Sequence, residues 1–441
     1  TVVMKDPAAD APYTLDLVAM AMDAGLIVPE SLLLDVSTEF AGYVAKNYDD
    51  RYRGRVTAAQ ALRESLNGPA VRLLARVGLD PFLSLLREGG LATLDKTAGY
   101  YGLPLILGGG EVRLLDLVNL YAALARGGRY LPVRFLADAD GPEAVPVRLF
   151  STEASHLVTD MLAGLARTDM PLAWNLTRDV PAVAWKTGTS FGHRDAWAVG
   201  FSSRYAIGVW VGNLDGRAQK GISGSRHAGP ILFDIFRAVE QGGAALARPE
   251  GVLNIAQIEV CAVSRQLPGP YCQHRVTIDY LPGVSRLEPC PVHVPIFVDA
   301  ESGLRLEGEC LAGRQVESRV VERQPEELLS WWRSLGMPVP MVPALAPGCR
   351  QVPSAGELKI VSPSPTTPYR VRRDAPAEYQ RVALVARAAA DAGRLYWYQD
   401  GALVASAEPA GRVFLPLTPG AHRLAVQDER GRLDAVNFRV E

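Results

Sequence analysis

The sequence predicts an α+β protein. Residues 1–245 read as mixed helix and strand, with several helices followed by an antiparallel meander and its covering helix, and a small β-sandwich closes the chain. Three observations carry that expectation. Cap signals bound apolar helical segments at residues 58–66, 114–125 and 152–166. Three strand-like runs follow one another through short turns in residues 182–212. Residues 355–441 hold short strand-like runs divided by turn residues, with no helical pattern.

Taken in order, residues 15–34 are rich in Ala, Leu and Met and read as a helix. Thr57-Ala58-Ala59-Gln60 is a capping box that starts a helix at Ala58. That helix runs into Ser65-Leu66-Asn67. Asn67-Gly68-Pro69 then breaks it, and Pro69 is placed to begin the next. Residues 114–125 read as a strongly apolar helix closed by Arg126-Gly127-Gly128. Residues 152–166 read as another, with Ser151 as N-cap. Residues 182–187, 196–201 and 207–212 read as strands, and residues 230–239 as a helix packed on their sheet. A Cys-, Pro- and Gly-rich stretch follows. It contains a short helix at residues 326–335, whose Trp331 and Trp332 read as packing between domains, and a proline-rich linker at residues 338–347. The expected domains are therefore residues 1–245, 246–350 and 355–441.

Composition removes several classes of function. The 441 residues are 48% hydrophobic and 21% charged, enough to bury sizeable cores. Lys+Arg 46 against Asp+Glu 48 leaves a net charge of −2, which argues against a nucleic-acid partner. No apolar run reaches the roughly 18 residues of a membrane helix. The six histidines are far apart, and the cysteines form no paired C-x-x-C, so no metal site and no cofactor are expected. All five cysteines, Cys261, Cys272, Cys290, Cys310 and Cys349, lie in the second half of the chain. The turn Leu267-Pro268-Gly269-Pro270 lets Cys261 and Cys272 approach. A disulfide between them is expected, with Cys290–Cys310 as a second, and an oxidising compartment follows.

Two motifs carry chemistry. Lys186-Thr187-Gly188-Thr189-Ser190 ends a strand. Acyl transfer from a peptide that ends in a carboxylate needs a cation, orienting hydroxyls and a strand edge that pairs with the substrate. Lys186, Thr187 and Thr189 supply the first two, and Gly188 lets the substrate backbone approach. Upstream, Ser65-Leu66-Asn67 sits at a helix end. Ser65 could relay a proton between a leaving amine and a lysine, and Asn67 could hold the substrate's amide backbone.

In this order and spacing the two motifs resemble those of the class A penicillin-binding proteins. The run from Lys186 through Asp195-Ala196-Trp197-Ala198-Val199-Gly200-Phe201 narrows the resemblance, as do Ile207-Gly208-Val209-Trp210-Val211-Gly212-Asn213 and Leu105-Ile106-Leu107-Gly108-Gly109-Gly110-Glu111-Val112. Val298-Asp299-Ala300-Glu301-Ser302-Gly303 and Tyr396-Trp397-Tyr398-Gln399-Asp400-Gly401 are similar to the penicillin-binding protein 1C group within that family. The resemblance covers residues 15–441. It implies a penicillin-binding transpeptidase fold, a D,D-transpeptidase activity on peptidoglycan stem peptides, and binding of β-lactams. Ser65 would be the catalytic residue, and Asn67, Lys186, Thr187, Gly188 and Thr189 would bind substrate. The resemblance also implies a periplasmic address, cell-wall synthesis proteins as partners, and a membrane anchor and glycosyltransferase domain in a longer chain.

One part of the family pattern is missing. The family nucleophile is the serine of a Ser-x-x-Lys, and no lysine here has a serine three residues before it. Thr93-Leu94-Asp95-Lys96 comes nearest, in the wrong part of the fold, and reads as surface. Counting back from Asp23-Ala24-Gly25-Leu26 puts the nucleophile near Ala11 and its lysine near Thr14, and residues 6–30 contain neither Ser nor Lys. Two readings follow: an impaired or inactive peptidoglycan-binding homologue, or a chain whose residues 1–14 are not the native segment. A β-lactamase needs the same absent pair. Arg194-Asp195 reads as a structural ion pair, and His193 as a loop residue at the cleft rim.

Overall fold

A computed structural model describes residues 13–40, 43–136, 144–165, 181–189, 194–213, 215, 217–219, 221–240, 246, 249, 251–311, 313–349, 358–365, 369–371, 380–388, 392–400, 402–409, 411, 413–428 and 433–441. Contacts divide the chain into two compact units. One comprises residues 1–294 and 321–341, the other residues 295–320 and 342–441. Residues 246–350 thus contribute to both.

The first unit is built around an antiparallel sheet of Ala184–Thr189, Asp195–Phe201 and Ala206–Gly212, in that order, so the motif strand lies at an edge among the described residues. Its register aligns Lys186 with Val199 and Val199 with Gly208, which therefore share one face. A Cβ at Gly208 would collide with Val118 and Leu114, so the helix Leu114–Ala125 covers that face. Trp185 points the other way and meets Phe233 of the helix Gly229–Val239 edge-on, with ring centroids 4.8 Å apart. Helices thus lie on both faces, and the central strand Asp195–Phe201 is buried throughout.

Local signals place the helices that reach the site. Thr57 Oγ1 accepts from Gln60 N and starts Ala58–Arg63, and Ser151 Oγ accepts from Ala154 N to start Thr152–Ala163. The single helix expected over residues 15–34 is corrected. Thr14–Asp23 ends at Gly25, whose φ of +70° a side-chain-bearing residue adopts only at a cost, and Leu32–Asp35 is a strand paired with Gly54–Thr57. The Trp331 ring packs against Gly54, so a residue of the expected 246–350 stretch meets one of the expected 1–245 domain, both inside the first unit.

Asp16 sits in that first helix with 0% exposure, and neither carboxylate oxygen meets a hydrogen-bond partner of good geometry among the described residues. Burial pushes its carboxyl well above the usual range, with only its own backbone amide pulling the other way. The unfolded chain ionises this group above about pH 4, whereas the folded chain ionises it only at higher pH. Stability from the protonated form is therefore complete below that pH and is lost as pH rises toward the folded value. Asp16→Asn is expected to raise the thermal midpoint at neutral pH, by about 1–3 kcal/mol of stability, and to leave it unchanged near pH 4. Midpoints recorded across that range check this.

The second unit is a β-sandwich. Lys359–Ser362, Arg381–Arg387 and Val413–Pro416 make one sheet. Ala402–Ala407, Leu395–Gln399, Gly420–Asp428 and Leu433–Val440 make the other, in that order. Leu384 and Leu415 from the first and Trp397, Leu424 and Phe438 from the second share one apolar core. Sequence reading missed Ala402–Ala407, whose small residues carry weak strand preference. Cys310 and Cys349 form a disulfide within this unit, with Cα atoms 5.7 Å apart. That corrects both expected pairings: Cys310 is not joined to Cys290, and Cys261 and Cys272 are free thiols.

Candidate active site

The Ser65 loop and the motif strand meet at one point: Lys186 Nζ donates to Ser65 Oγ. Lys186 also donates to the Thr187 carbonyl at 2.9 Å, and is only 3% exposed. Ser65 and Thr187 are half-buried, so solvent reaches this junction.

Ser65 occupies a position that favours glycine. Ala58–Arg63 ends in a turn where Leu66 N bonds back to Ala61 O and Ser65 N to Leu62 O, which puts Ser65 at φ +55°. A serine there accepts backbone strain to present its hydroxyl to Lys186. Ser65→Ala and Ser65→Gly both delete the hydroxyl, but only glycine relaxes the backbone. Ser65→Gly is expected to be more stable than Ser65→Ala by about 1 kcal/mol, read from denaturant midpoints of the two variants.

Asn67 opens the helix Asn67–Val77 and is pinned by a buried network that sequence reading missed. Asn47 Oδ1 accepts from Asn67 N at 2.8 Å, and Asn47 Nδ2 donates to both carboxylate oxygens of Asp35 at 3.0 and 2.9 Å. Arg53 N donates to Asp35 as well, at 2.8 Å. Burial pushes the Asp35 carboxyl up against the downward pull of those bonds. Asn67 Nδ2 donates to Lys46 O at 2.6 Å. Neither Asp35 nor Asn47 forms a local motif with Asn67; 20 residues separate Asn47 from it.

On the strand, side chains alternate, so Thr187 and Thr189 leave the face opposite Lys186. Thr189 Oγ1 accepts from Gly224 N at 3.1 Å, and its own proton remains to donate. Gly224 lies so close that a Cβ there would come within 2.5 Å of the carbonyl oxygens of Gly188 and Trp197. Gly188 itself pairs with Trp197 in the sheet.

Other expectations resolve plainly. Asp195 is buried and accepts from Trp210 Nε1 at 2.9 Å. Lys96 pairs with Asp95 at 3.2 Å on the exposed surface. Thr14, where the family pattern places lysine, begins the first helix and is buried. Ala11, Ser190 and His193 lie outside the described residues. No helix among the described residues is long and apolar enough to cross a membrane.

Residues 16–236 match the penicillin-binding protein transpeptidase domain, and residues 347–438 match the penicillin-binding protein C-terminus family. Penicillin-binding protein 1C of Escherichia coli K12 is 30% identical over 434 residues, 96% of this chain and 54% of that protein. Penicillin-binding protein 1F of Bacillus subtilis 168 is 30% identical over 247 residues, 53% of this chain and 34% of that protein. The chain spans about half, or less, of these relatives. The crystal structure of penicillin-binding protein 1A from Haemophilus influenzae shares the fold, with a TM-score of 0.51 at 19% identity over 65% of this chain and 49% of that one.

Proposed function

The chain belongs to the penicillin-binding protein transpeptidase family, and on that premise we propose that its cleft recognises the carboxylate end of peptidoglycan stem peptides, and β-lactams, without forming an acyl-enzyme. The observation that carries this reading is the hydrogen bond from Lys186 to Ser65. It joins a buried cation to a hydroxyl at the mouth of an edge strand, where a peptide could add by backbone pairing. Ser65 would relay a proton, as in the family reaction. Asn67 would hold the peptide's amide, Thr187 and Thr189 its carboxylate, and Gly188 would allow its backbone close. What the sequence does not supply is an activated nucleophile, since residues 6–30 contain no serine and no lysine.

Retention of Ser65, Asn67 and the whole Lys186 motif favours one second reading, a working D,D-transpeptidase whose native segment differs from residues 1–14. Both readings place the domain in the periplasm, tethered through a longer chain. Fluorescence anisotropy of a labelled peptide ending in D-Ala-D-Ala tests the shared part. Saturable, reversible binding is expected, and no binding at any concentration would overturn it.

A further inference from the structure

Apart from the residues of the cleft, three cysteines and one histidine converge. Cys261, Cys272, Cys290 and His293 offer one ligand atom each, and these atoms all lie within 4.8 Å of one another. The Nδ1 of His293 stands 3.4 Å from the Cys261 sulfur, 3.4 Å from that of Cys272 and 3.5 Å from that of Cys290. A tetrahedral zinc ion with Zn–S of about 2.3 Å and Zn–N of about 2.0–2.1 Å requires sulfur-to-nitrogen edges of roughly 3.5 Å. All three edges match. Disulfide chemistry does not explain the cluster, because joining any two of these thiols strands the third beside the imidazole.

The backbone holds the sulfurs in place independently of any metal. Cys261 N bonds to Gln266 O at 2.8 Å, Cys272 N to Gly269 O at 3.1 Å, and Cys290 N to Leu267 O at 2.9 Å. Val263 N donates to the Cys261 sulfur at 3.4 Å, a bond that suits a thiolate. On its far side, His293 Nε2 faces the Glu322 carboxylate at 3.9 Å. A carboxylate behind the imidazole fixes a metal-binding histidine in the tautomer whose Nδ1 is free to ligate.

We propose that Cys261, Cys272, Cys290 and His293 bind one structural zinc ion that clamps residues 261–293 of the first unit. Four protein ligands close the coordination sphere, so the ion has no open position for catalysis. Binding displaces the three thiol protons to solvent and leaves the imidazole neutral, so the site carries a net charge of −1. The pattern C-x10-C-x17-C-x2-H has no paired C-x-x-C. That is why sequence spacing concealed it.

Elemental analysis of the purified chain, dialysed against metal-free buffer, tests the assignment. About one zinc per chain is expected, with Cys261, Cys272 and Cys290 unreactive to alkylation until a chelator is added. Cys290→Ser is expected to lose zinc while keeping penicillin-cleft binding. Should that variant fail to fold, cobalt(II) added to the stripped wild-type chain must give the charge-transfer and ligand-field bands of tetrahedral thiolate coordination. Absence of stoichiometric zinc, a different metal in its place, or a disulfide between any two of the three cysteines would overturn the proposal.

Discussion

Lys186→Met is expected to weaken binding of a D-Ala-D-Ala peptide by roughly ten- to a hundred-fold, the equivalent of about 1.5–3 kcal/mol for a hydrogen bond to a charged group. Methionine keeps the length and apolar stem of the side chain, so packing against the sheet changes little. What disappears is the charge and the donor to Ser65. The effect should shrink with added salt less than a surface pair's would, because Lys186 is almost wholly buried. Anisotropy titrations of both proteins at two salt concentrations check this. Equal affinities would remove Lys186 from the site.

Gly224→Ala is expected to break the same site from the opposite side. A methyl there meets two carbonyl oxygens at 2.5 Å, and neither can rotate away as a side-chain tip would. The turn Gly224–Ala228 must therefore lift off the sheet, which separates Gly224 N from Thr189 Oγ1. Overpacking of this kind costs about 1–3 kcal/mol of stability. Peptide binding should fall in parallel, because Thr189 loses the contact that orients it. Denaturant midpoints and the same titration measure both. A variant with wild-type stability and affinity would contradict the described packing.

Much of the fold was legible because local signals agreed with tertiary need. The helix 114–125 was read to the residue, and Ser151 and Thr57 cap the helices they were expected to cap. The errors arose where local pattern gave way to pairing. Residues 32–35 look helical beside an apolar helix, but Gly25 turns the chain and Gly54–Thr57 recruits them as a strand. At the site, Ser65 and Lys186 could be matched across 121 residues because their residue types and order form a known pattern. Asp35 and Asn47 could not, since a polar network has no period and no spacing. The cysteines failed for a related reason. Sequence proximity favoured Cys261 with Cys272 as a covalent pair, whereas the fold adds Cys290 and His293 to the same point.

The central claim is that this chain binds without being acylated, and intact-mass spectrometry after prolonged incubation with benzylpenicillin tests it most directly. The account predicts an unchanged mass in protein that nonetheless binds the ligand reversibly, because residues 6–30 hold no serine–lysine pair to take up the lactam carbonyl. A stoichiometric gain of one penicillin per chain would contradict it. Peptide mapping of that adduct to Ser65 would identify a rewired nucleophile.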